Sequence, residues 1–160
     1  MKEDLIMDKQ VQDTFWKAFA DSPVIMMRLE GAGSHAEPMT AQLDPEAQHE
    51  FWFFTTRDNR IGKGGRAMGQ IMTRGHDVFA CLSGTLVEET DRARWDKHWD
   101  RYANAWFPDG RNDPNVIMLR FEIDDAEVWT ADPSIKGRLK LLAGKAMEPR
   151  DAGKHSVGAV

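Results

Sequence analysis

The residues best suited to binding chemistry in this sequence follow one aromatic run. Phe51 to Phe54 is followed at once by Thr55 and Thr56, and then by a glycine-rich and charged stretch from Arg57 to Gly65. Hydroxyl groups, backbone N–H groups and cationic side chains are the groups with which proteins bind phosphate. The stretch is therefore a candidate phosphate site. An ordinary solvated loop is the commoner outcome for such residues and stays open as the alternative.

The other reactive side chains are scattered and indicate no catalytic or metal site. The histidines form no i,i+4 pair and have no carboxylate partner at ligand spacing, so we expect no bound metal ion. Cys81 lies in an apolar run, where a thiol behaves as a small buried hydrophobe and its pKa rises. The sequence also lacks a P-loop and a G-x-G-x-x-G pattern after a strand. We therefore name no catalytic residue.

Composition bounds the class of protein. The chain has 160 residues, of which 41% are hydrophobic and 29% charged, and this fits one globular domain. We expect the domain to span residues 1–145, followed by a flexible C-terminal tail at 146–160. The formal charge of −5 gives little attraction to phosphate backbones, so we expect no nucleic-acid partner. No apolar stretch is long enough for a signal sequence or a bilayer span, so we expect no membrane contact and a cytoplasmic location.

Hydrophobic periodicity predicts an antiparallel barrel flanked by helices. The strand at 24–29 and a returning strand at 35–43 are predicted to form a hairpin across a glycine-rich turn. The predicted elements are helices at 8–20, 66–72, 91–107 and 134–142, and strands at 24–29, 35–43, 51–56, 78–82 with 84–88, 116–123 and 126–130.

Two features of these elements bear on ligand binding. Pro38 cannot donate a ladder hydrogen bond, so it predicts a sheet edge or a bulge where a ligand could meet exposed backbone. Trp95, Trp99, Tyr102 and Trp106 recur at helical spacing and form one aromatic stripe. Such a stripe is more often core or dimer packing than the wall of a cofactor site.

Three segments, taken in order, resemble the general stress protein 26 group of the pyridoxamine 5'-phosphate oxidase-like, FMN-binding split-barrel proteins. They are His35 to Gln42, Phe51 to Arg60, and Ala105 to Pro108 ahead of Asp113 and Pro114. The resemblance extends from about Phe15 to Leu142. It implies a mainly β (α+β) fold, a six-stranded antiparallel split barrel with flanking helices. It also implies a homodimer that holds one FMN in each of two clefts at the subunit boundary.

The same resemblance implies which residues contact the flavin. The strand from Glu37 to Gln42 would lie along the ring, with its backbone at the ring's polar edge, and two later segments would approach the ribityl chain and the phosphate. Trp106 of the partner subunit would close the cleft and Trp129 would flank the ring, with ordinary packing as the alternative for both. The full implied set is Glu37, Pro38, Met39, Thr40, Ala41, Gln42, Phe54, Thr55, Thr56, Asn59, Arg60, Lys63, Trp106 and Trp129.

Two departures from the family pattern concern phosphate and substrate. Relatives of the oxidase type often have Arg-Lys where this chain has Arg60 and Ile61, so Lys63 or a rearranged glycine-rich loop would have to replace that lysine. The C-terminal arginine pattern of true pyridoxamine phosphate oxidases is not visible either. That specific activity is therefore not assigned.

The resemblance leads to a functional expectation with one main alternative. We expect an FMN-binding homodimer that performs flavin redox chemistry on a small molecule, with a reduced nicotinamide or another small donor as electron source. The alternative is a stress protein that sequesters or senses a flavin without turnover. A haem-binding variant of the barrel is a weaker option, since no histidine is placed by a motif.

Overall fold

The computed structural model describes residues 7–130, 144 and 153–160. In these residues the chain forms three α-helices, one 3-10 helix and seven strands. The helices are α1 (Lys9–Asp21), α2 (Arg92–His98) and α3 (Arg101–Trp106), with the 3-10 helix at Gly110–Asn112. The strands are β1 (Val24–Leu29), β2 (Glu37–Thr40), β3 (Glu50–Thr56), β4 (Gly65–Met72), β5 (Val78–Glu88), β6 (Val116–Thr130) and β7 (His155–Gly158). The predicted helix at 134–142 lies outside the described residues.

All seven strands belong to one antiparallel sheet. Their order is β2-β1-β4-β5-β6-β3, and β7 pairs with β6 as well. On the side of β6 opposite β5, residues 116–122 pair with β3 and residues 126–129 pair with β7. The mainly β fold with flanking helices is confirmed. Strands β2 and β3 are the first and last strands of this order, so the barrel is split between them.

The core lies between α1 and the inward face of the sheet. Its centre is a set of fully buried phenylalanines whose rings meet in stacked or edge-on contacts. Burying one such side chain contributes about 1.5–3 kcal/mol to stability. The set comprises Phe15 and Phe19 of α1, Phe51 and Phe53 of β3, and Phe121 of β6.

Helix α1 matches its predicted range to within one residue. The Asp8 carboxylate accepts hydrogen bonds from the backbone N–H groups of Gln10 and Val11 and so caps the first turn. The helix ends at Asp21, and Ser22, directly before Pro23, is its C-cap, because the residue before a proline avoids helical geometry. Within the described residues no helix has the length and apolar character that crossing a bilayer requires.

Residues 66–72, predicted as a helix, form strand β4 instead. Ala67, Gly69 and Ile71 are buried, and the residues between them are half-buried or exposed, which is the period of a strand. Strands β1 and β5 pair with β4 on its two sides. This pairing overrides the helix propensity of the local sequence. Gly69 suits the position because a Cβ atom there would lie 2.4 Å from Cδ1 of Ile25.

The predicted helix at 91–107 is divided into α2 and α3. Trp99 and Asp100 have extended backbone, and the Asp100 carboxylate accepts a 2.9 Å hydrogen bond from the N–H of Ala103 to begin α3. The residues of the aromatic stripe are therefore distributed over two helices and the link between them. Trp95 on α2 is buried, whereas Trp106 on α3 is 80% exposed.

The C-terminal tail also differs from the prediction. Residues 155–158, expected to be flexible, form β7 and pair with the last part of β6, with His155 opposite Trp129 and their rings stacked 5.1 Å apart. Strand β6 extends beyond β3 and offers an edge to which the tail adds. The predicted pairs of segments at 78–88 and 116–130 are likewise continuous strands, with a bulge between Ser83 and Gly84.

Gly84 provides a test of this arrangement. A Cβ atom there would lie 2.0 Å from the backbone oxygen of Glu122 in β6, so the two strands would have to separate. We expect Gly84→Ala to lower the free energy of unfolding, measured by urea denaturation, by about 2 kcal/mol or more. Gly33→Ala is the control, since nothing lies within 4 Å of the added atom. Equal stability of the Gly84→Ala and wild-type proteins would contradict the close approach of β5 and β6.

Candidate functional site

The seam between β2 and β3 is the place where the sheet leaves backbone groups open. We use the word seam for the gap between residues 37–42 and residues 52–56. At one end, the Gln42 N–H donates to the Trp52 carbonyl at 2.7 Å, and the Trp52 N–H donates back to the Gln42 carbonyl at 3.0 Å. Among the described residues, no other backbone hydrogen bond joins the two edges.

The sequence explains why the ladder could not extend as far as Pro38. Continued in register, the ladder would set Thr40 opposite Phe54 and Pro38 opposite Thr56. The Ala41 N–H donates a 2.7 Å hydrogen bond to the carbonyl of Pro23, which precedes β1. Because the backbone groups of successive strand residues point to opposite sides, those of Thr40 and Pro38 point towards β3. Pro38 has no N–H to donate. The prediction that Pro38 marks a sheet edge is confirmed, and among the described residues the seam leaves polar backbone groups without strand partners.

Arg60 closes the other end of the seam. This residue belongs to the loop between β3 and β4, and its Nη1 donates a 2.9 Å hydrogen bond to the carbonyl of His35. Its Nε lies 3.6 Å from Oε2 of Glu37. The second carboxylate oxygen of Glu37 is shielded from solvent and has no hydrogen-bond partner among the described residues. The structure therefore brings Glu37 and Arg60 together, as two of the predicted binding residues.

The loop that carries Arg60 is held in place by its own residues. Oδ1 of Asn59 accepts a hydrogen bond from the N–H of Ile61 at 3.0 Å, and Ile61 is fully buried in the core. Gly62 is required by space, because a Cβ atom there would lie 2.5 Å from the carbonyl oxygen of Arg57. Ile61 thus anchors the loop at the position where the family resemblance predicts a lysine. The side chain of Lys63 is exposed.

The remaining predicted residues on β3 divide between its two faces. Phe54 points outward and lies under α2, with its ring 5.3 Å from that of Trp95 and 4.9 Å from that of Trp99. Thr55 is buried on the opposite face, so the fold does not bring its hydroxyl to the seam. Thr56 lies at the end of the strand and is half-buried.

On β2, the predicted residues also alternate. Pro38 and Thr40 are exposed, whereas Met39 packs against the core and Ala41 is buried. Trp129 lies at the end of β6 that is remote from β3, so a single chain does not bring it to the seam.

Trp95 and Trp99 form an aromatic cover over Phe54 of β3. A charged contact that the sequence did not reveal holds this cover in place. Asp44 follows Gln42 closely in the chain, and its carboxylate binds Arg94 and, at 2.7 Å, Nζ of Lys97 on α2. The Arg94 guanidinium lies 4.3 Å from the centre of the Trp52 ring. The Lys97 ammonium, together with the N–H of Glu46 and Arg94, holds the pKa of Asp44 well below its usual range. These partners are about 50 residues apart in sequence, so no local pattern could have indicated them.

Reactive side chains away from the seam offer little chemistry. Burial raises the pKa of the Cys81 thiol, as predicted. Burial, with the neighbouring Arg94, lowers the pKa of His98, whose ring stacks on Trp52. In the described part of the chain, no three His, Cys, Asp or Glu side chains converge as they would around a metal ion.

A large cleft lies elsewhere among the described residues, with a volume of about 1880 Å³. It is lined by α1, residues 43–49 and residues 157–160, and none of the predicted flavin-binding residues lines it. Cations such as Lys9 and Lys17 alternate there with the carboxylates of Asp13 and Asp124. Because its charges are mixed and none of the predicted binding residues lines it, we regard the seam as the better candidate site.

Comparison with known proteins identifies the class. The family model described as pyridoxamine 5'-phosphate oxidase like matches residues 10–149. The chain therefore belongs to the pyridoxamine 5'-phosphate oxidase-like family, as the resemblance implied. No curated protein matches the chain.

Solved structures agree with this assignment. A general stress family protein from Xanthomonas campestris pv. campestris is 40% identical, with a TM-score of 0.70, and the match covers 79% of this chain and 91% of that one. The general stress FMN/FAD binding protein from Xanthomonas citri is 40% identical, with a TM-score of 0.71 and coverage of 80% and 94%. A general stress protein 26 from Jannaschia sp. CCS1, at 24% identity, has a TM-score of 0.79 and coverage of 96% and 100%, which supports the fold.

The Asp44 contact makes a pH-dependent prediction. A carboxyl group whose pKa is lowered by folding stabilises the fold above its unfolded pKa of about 3.9, and this stability is lost as the pH falls. We expect Asp44→Asn to lower the free energy of unfolding by about 2 kcal/mol at pH 7. The difference from wild type should shrink below about pH 4, as urea denaturation at several pH values would show.

A matched control tests the same helix. Asp96→Asn removes an exposed contact between α2 and Arg111 and should cost less than about 1 kcal/mol at any pH. A cost for Asp44→Asn that is no larger than this, or that does not vary with pH, would contradict the role assigned to Asp44.

Proposed function

We propose that the protein is a flavoprotein that binds FMN along the seam and uses it to transfer electrons to or from a small molecule. The observation that carries the proposal is the open backbone edge that Pro38 maintains between β2 and β3. An isoalloxazine ring has one polar edge of donors and acceptors. Unpaired strand backbone is suited to such an edge, because it offers both kinds of group at fixed spacing.

The residues around the seam fit the rest of the cofactor. The backbone of Pro38 and Thr40 would meet the ring, and the aromatic cover over Phe54 would exclude water from one side. Thr56, Arg60 and Lys63 would face the ribityl chain and the phosphate, since hydroxyls and cations are the usual phosphate partners. The flavin itself supplies the redox chemistry once it is bound.

Similarity to a flavin-binding relative supports the choice of cofactor. The Xanthomonas citri protein, 40% identical over most of both chains, is described as an FMN/FAD binding protein. The chain departs from oxidase-type relatives at Ile61, which is a core residue here. We therefore assign the phosphate contact to Arg60 and Lys63.

We extend the proposal to a homodimer with FMN at the subunit interface. The outward face of β1 and β4 exposes large apolar side chains, including Met26 at 40% and Met72 at 62%. Phe79 lies opposite Met72 and Trp129 lies opposite Phe79, so the apolar row continues across three strands. Contiguous apolar surface of this kind marks an interaction site. A second copy on this face would deepen the shallow seam into a cleft, and Trp106 of the partner subunit would close it.

Titration with FMN tests the proposed cofactor. We expect the purified protein to quench flavin fluorescence in a saturable way and to shift the visible flavin spectrum, because the ring moves from water into an aromatic environment. A protein that neither retains FMN nor quenches its fluorescence would contradict the proposal.

Repeated reduction and reoxidation separates the two functional classes. Reduction of the bound flavin by a nicotinamide donor, followed by reoxidation by an added acceptor over many cycles, would support the oxidoreductase. Tight FMN binding without such cycles would support the alternative of a flavin-sequestering or flavin-sensing protein.

A charged substitution tests the dimer. The double variant Met26→Glu and Met72→Glu places two carboxylates on the exposed face, where they would be desolvated only in a dimer. We expect light scattering to report a monomer and FMN affinity to fall by about tenfold or more. Gln48→Glu, an exposed position before β3, is the control and should leave both unchanged. A wild-type protein that is monomeric, or a double variant that remains a dimer with unchanged FMN affinity, would argue against this interface.

A further inference from the structure

The phosphate end of the proposed site carries a carboxylate in direct contact with its main cation. We propose that Glu37, through its contact with Arg60, is a specificity-determining residue that limits the preference of the seam for phosphorylated flavin over riboflavin. This inference rests on the proposed flavin function. It concerns which member of the flavin class the site selects, and why.

The Arg60 guanidinium is already occupied by two partners on the β2 side. Its Nη1 donates to the His35 carbonyl at 2.9 Å, and its Nε lies 3.6 Å from a Glu37 oxygen. The Arg60 side chain is 43% exposed and that of Glu37 only 22%. A phosphate that binds Arg60 must therefore share it with a partly buried carboxylate, which solvent screens less than a surface charge.

Glu37 has few other means of compensating its charge. One of its carboxylate oxygens is shielded from solvent and has no hydrogen-bond partner among the described residues. Arg60 is the cation in contact with the other oxygen. Displacing Arg60 towards a phosphate would leave the Glu37 charge uncompensated, which is costly for a carboxylate away from water.

The charged residues of the loop between β3 and β4, counted together with their ion-pair partners, balance to zero. Arg57 is paired with Glu88 at 2.8 Å, and Asp58 is an exposed carboxylate whose pKa is lowered by hydrogen bonds from Thr56 and Asn115. Three cations therefore stand against three carboxylates. The cations are Arg57, Arg60 and Lys63, and the carboxylates are Glu37, Asp58 and Glu88.

A flavin phosphate, which carries a charge of nearly −2 at neutral pH, meets an electrically neutral end. Riboflavin and FMN share the ring and the ribityl chain and differ only in this phosphate. The ratio of their dissociation constants therefore isolates the phosphate end. We expect wild-type protein to bind riboflavin within about tenfold of FMN, because the cations that attract the phosphate are offset by neighbouring carboxylates.

Glu37→Gln is the direct test. Glutamine keeps the size of the side chain and an oxygen that accepts from Arg60, but removes the charge. Both dissociation constants are measured by quenching of flavin fluorescence at low salt. We expect FMN to bind about tenfold more tightly to Glu37→Gln than to wild type, with riboflavin unchanged. Arg60→Gln should weaken FMN binding more than riboflavin binding.

Glu46→Gln is the matched control. It removes one exposed carboxylate from the loop before β3, at the other end of the seam, and should not alter the ratio of the two dissociation constants. This control separates a local effect of Glu37 from the general effect of lowering the net negative charge of the protein.

The outcomes distinguish this inference from the proposed function. If wild-type protein binds neither flavin, the proposed function fails and the inference falls with it. If both flavins bind, an unchanged ratio in Glu37→Gln, or a wild-type preference for FMN above about a hundredfold, overturns the inference alone. Should Glu37→Gln not fold, the salt dependence of wild-type protein decides. If the phosphate end of the seam is neutral, added salt should weaken FMN binding no more than riboflavin binding. A steep weakening of FMN binding alone would contradict the inference.

Discussion

The missing N–H of Pro38 is the constraint on which the proposed site depends. In the described part of the chain, the segment that follows β2 pairs with β3 only at Gln42 and Trp52. Beyond Thr40 on the same edge, Pro38 cannot donate to a continued ladder. Each ladder hydrogen bond contributes about 0.5–1.5 kcal/mol, so the split gives up stability that a closed barrel would have. The structure recovers part of it by closing the far end with Arg60 instead of with backbone pairing.

The two sides of the seam are held by contacts that lie outside it. Ile61 anchors the loop that carries Arg60 in the core, so the loop cannot drift away from β2. Asp44 fixes α2 above β3 and keeps aromatic rings over Phe54. A site of this kind is framed by rigid elements, while its own edges keep unpaired backbone. That combination suits a flat ligand with one polar edge and explains how a mainly packed fold can offer a binding surface.

The sequence predicted the features that local chemistry determines. Pro38 indicated a sheet edge because a missing donor has the same consequence in any fold. Asp8 and Pro23 set the two ends of α1, by capping and by local steric hindrance. Features set by distant partners were missed. Residues 66–72 form a strand because β1 and β5 flank them, and the tail forms β7 because β6 extends past β3. The contact between Glu37 and Arg60 likewise depends on how a loop folds back, so the sequence named both residues without their pairing.

Hydrogen exchange at the seam tests the central claim most directly. The backbone N–H groups of Thr40 and Phe54 face an open edge, so they should exchange quickly in the free protein. If a flavin binds along this edge, saturation with FMN should slow exchange at these two amides, and exchange around the cleft beside α1 should not change. Slowed exchange confined to that cleft, with the amides of Thr40 and Phe54 unaffected, would contradict the account.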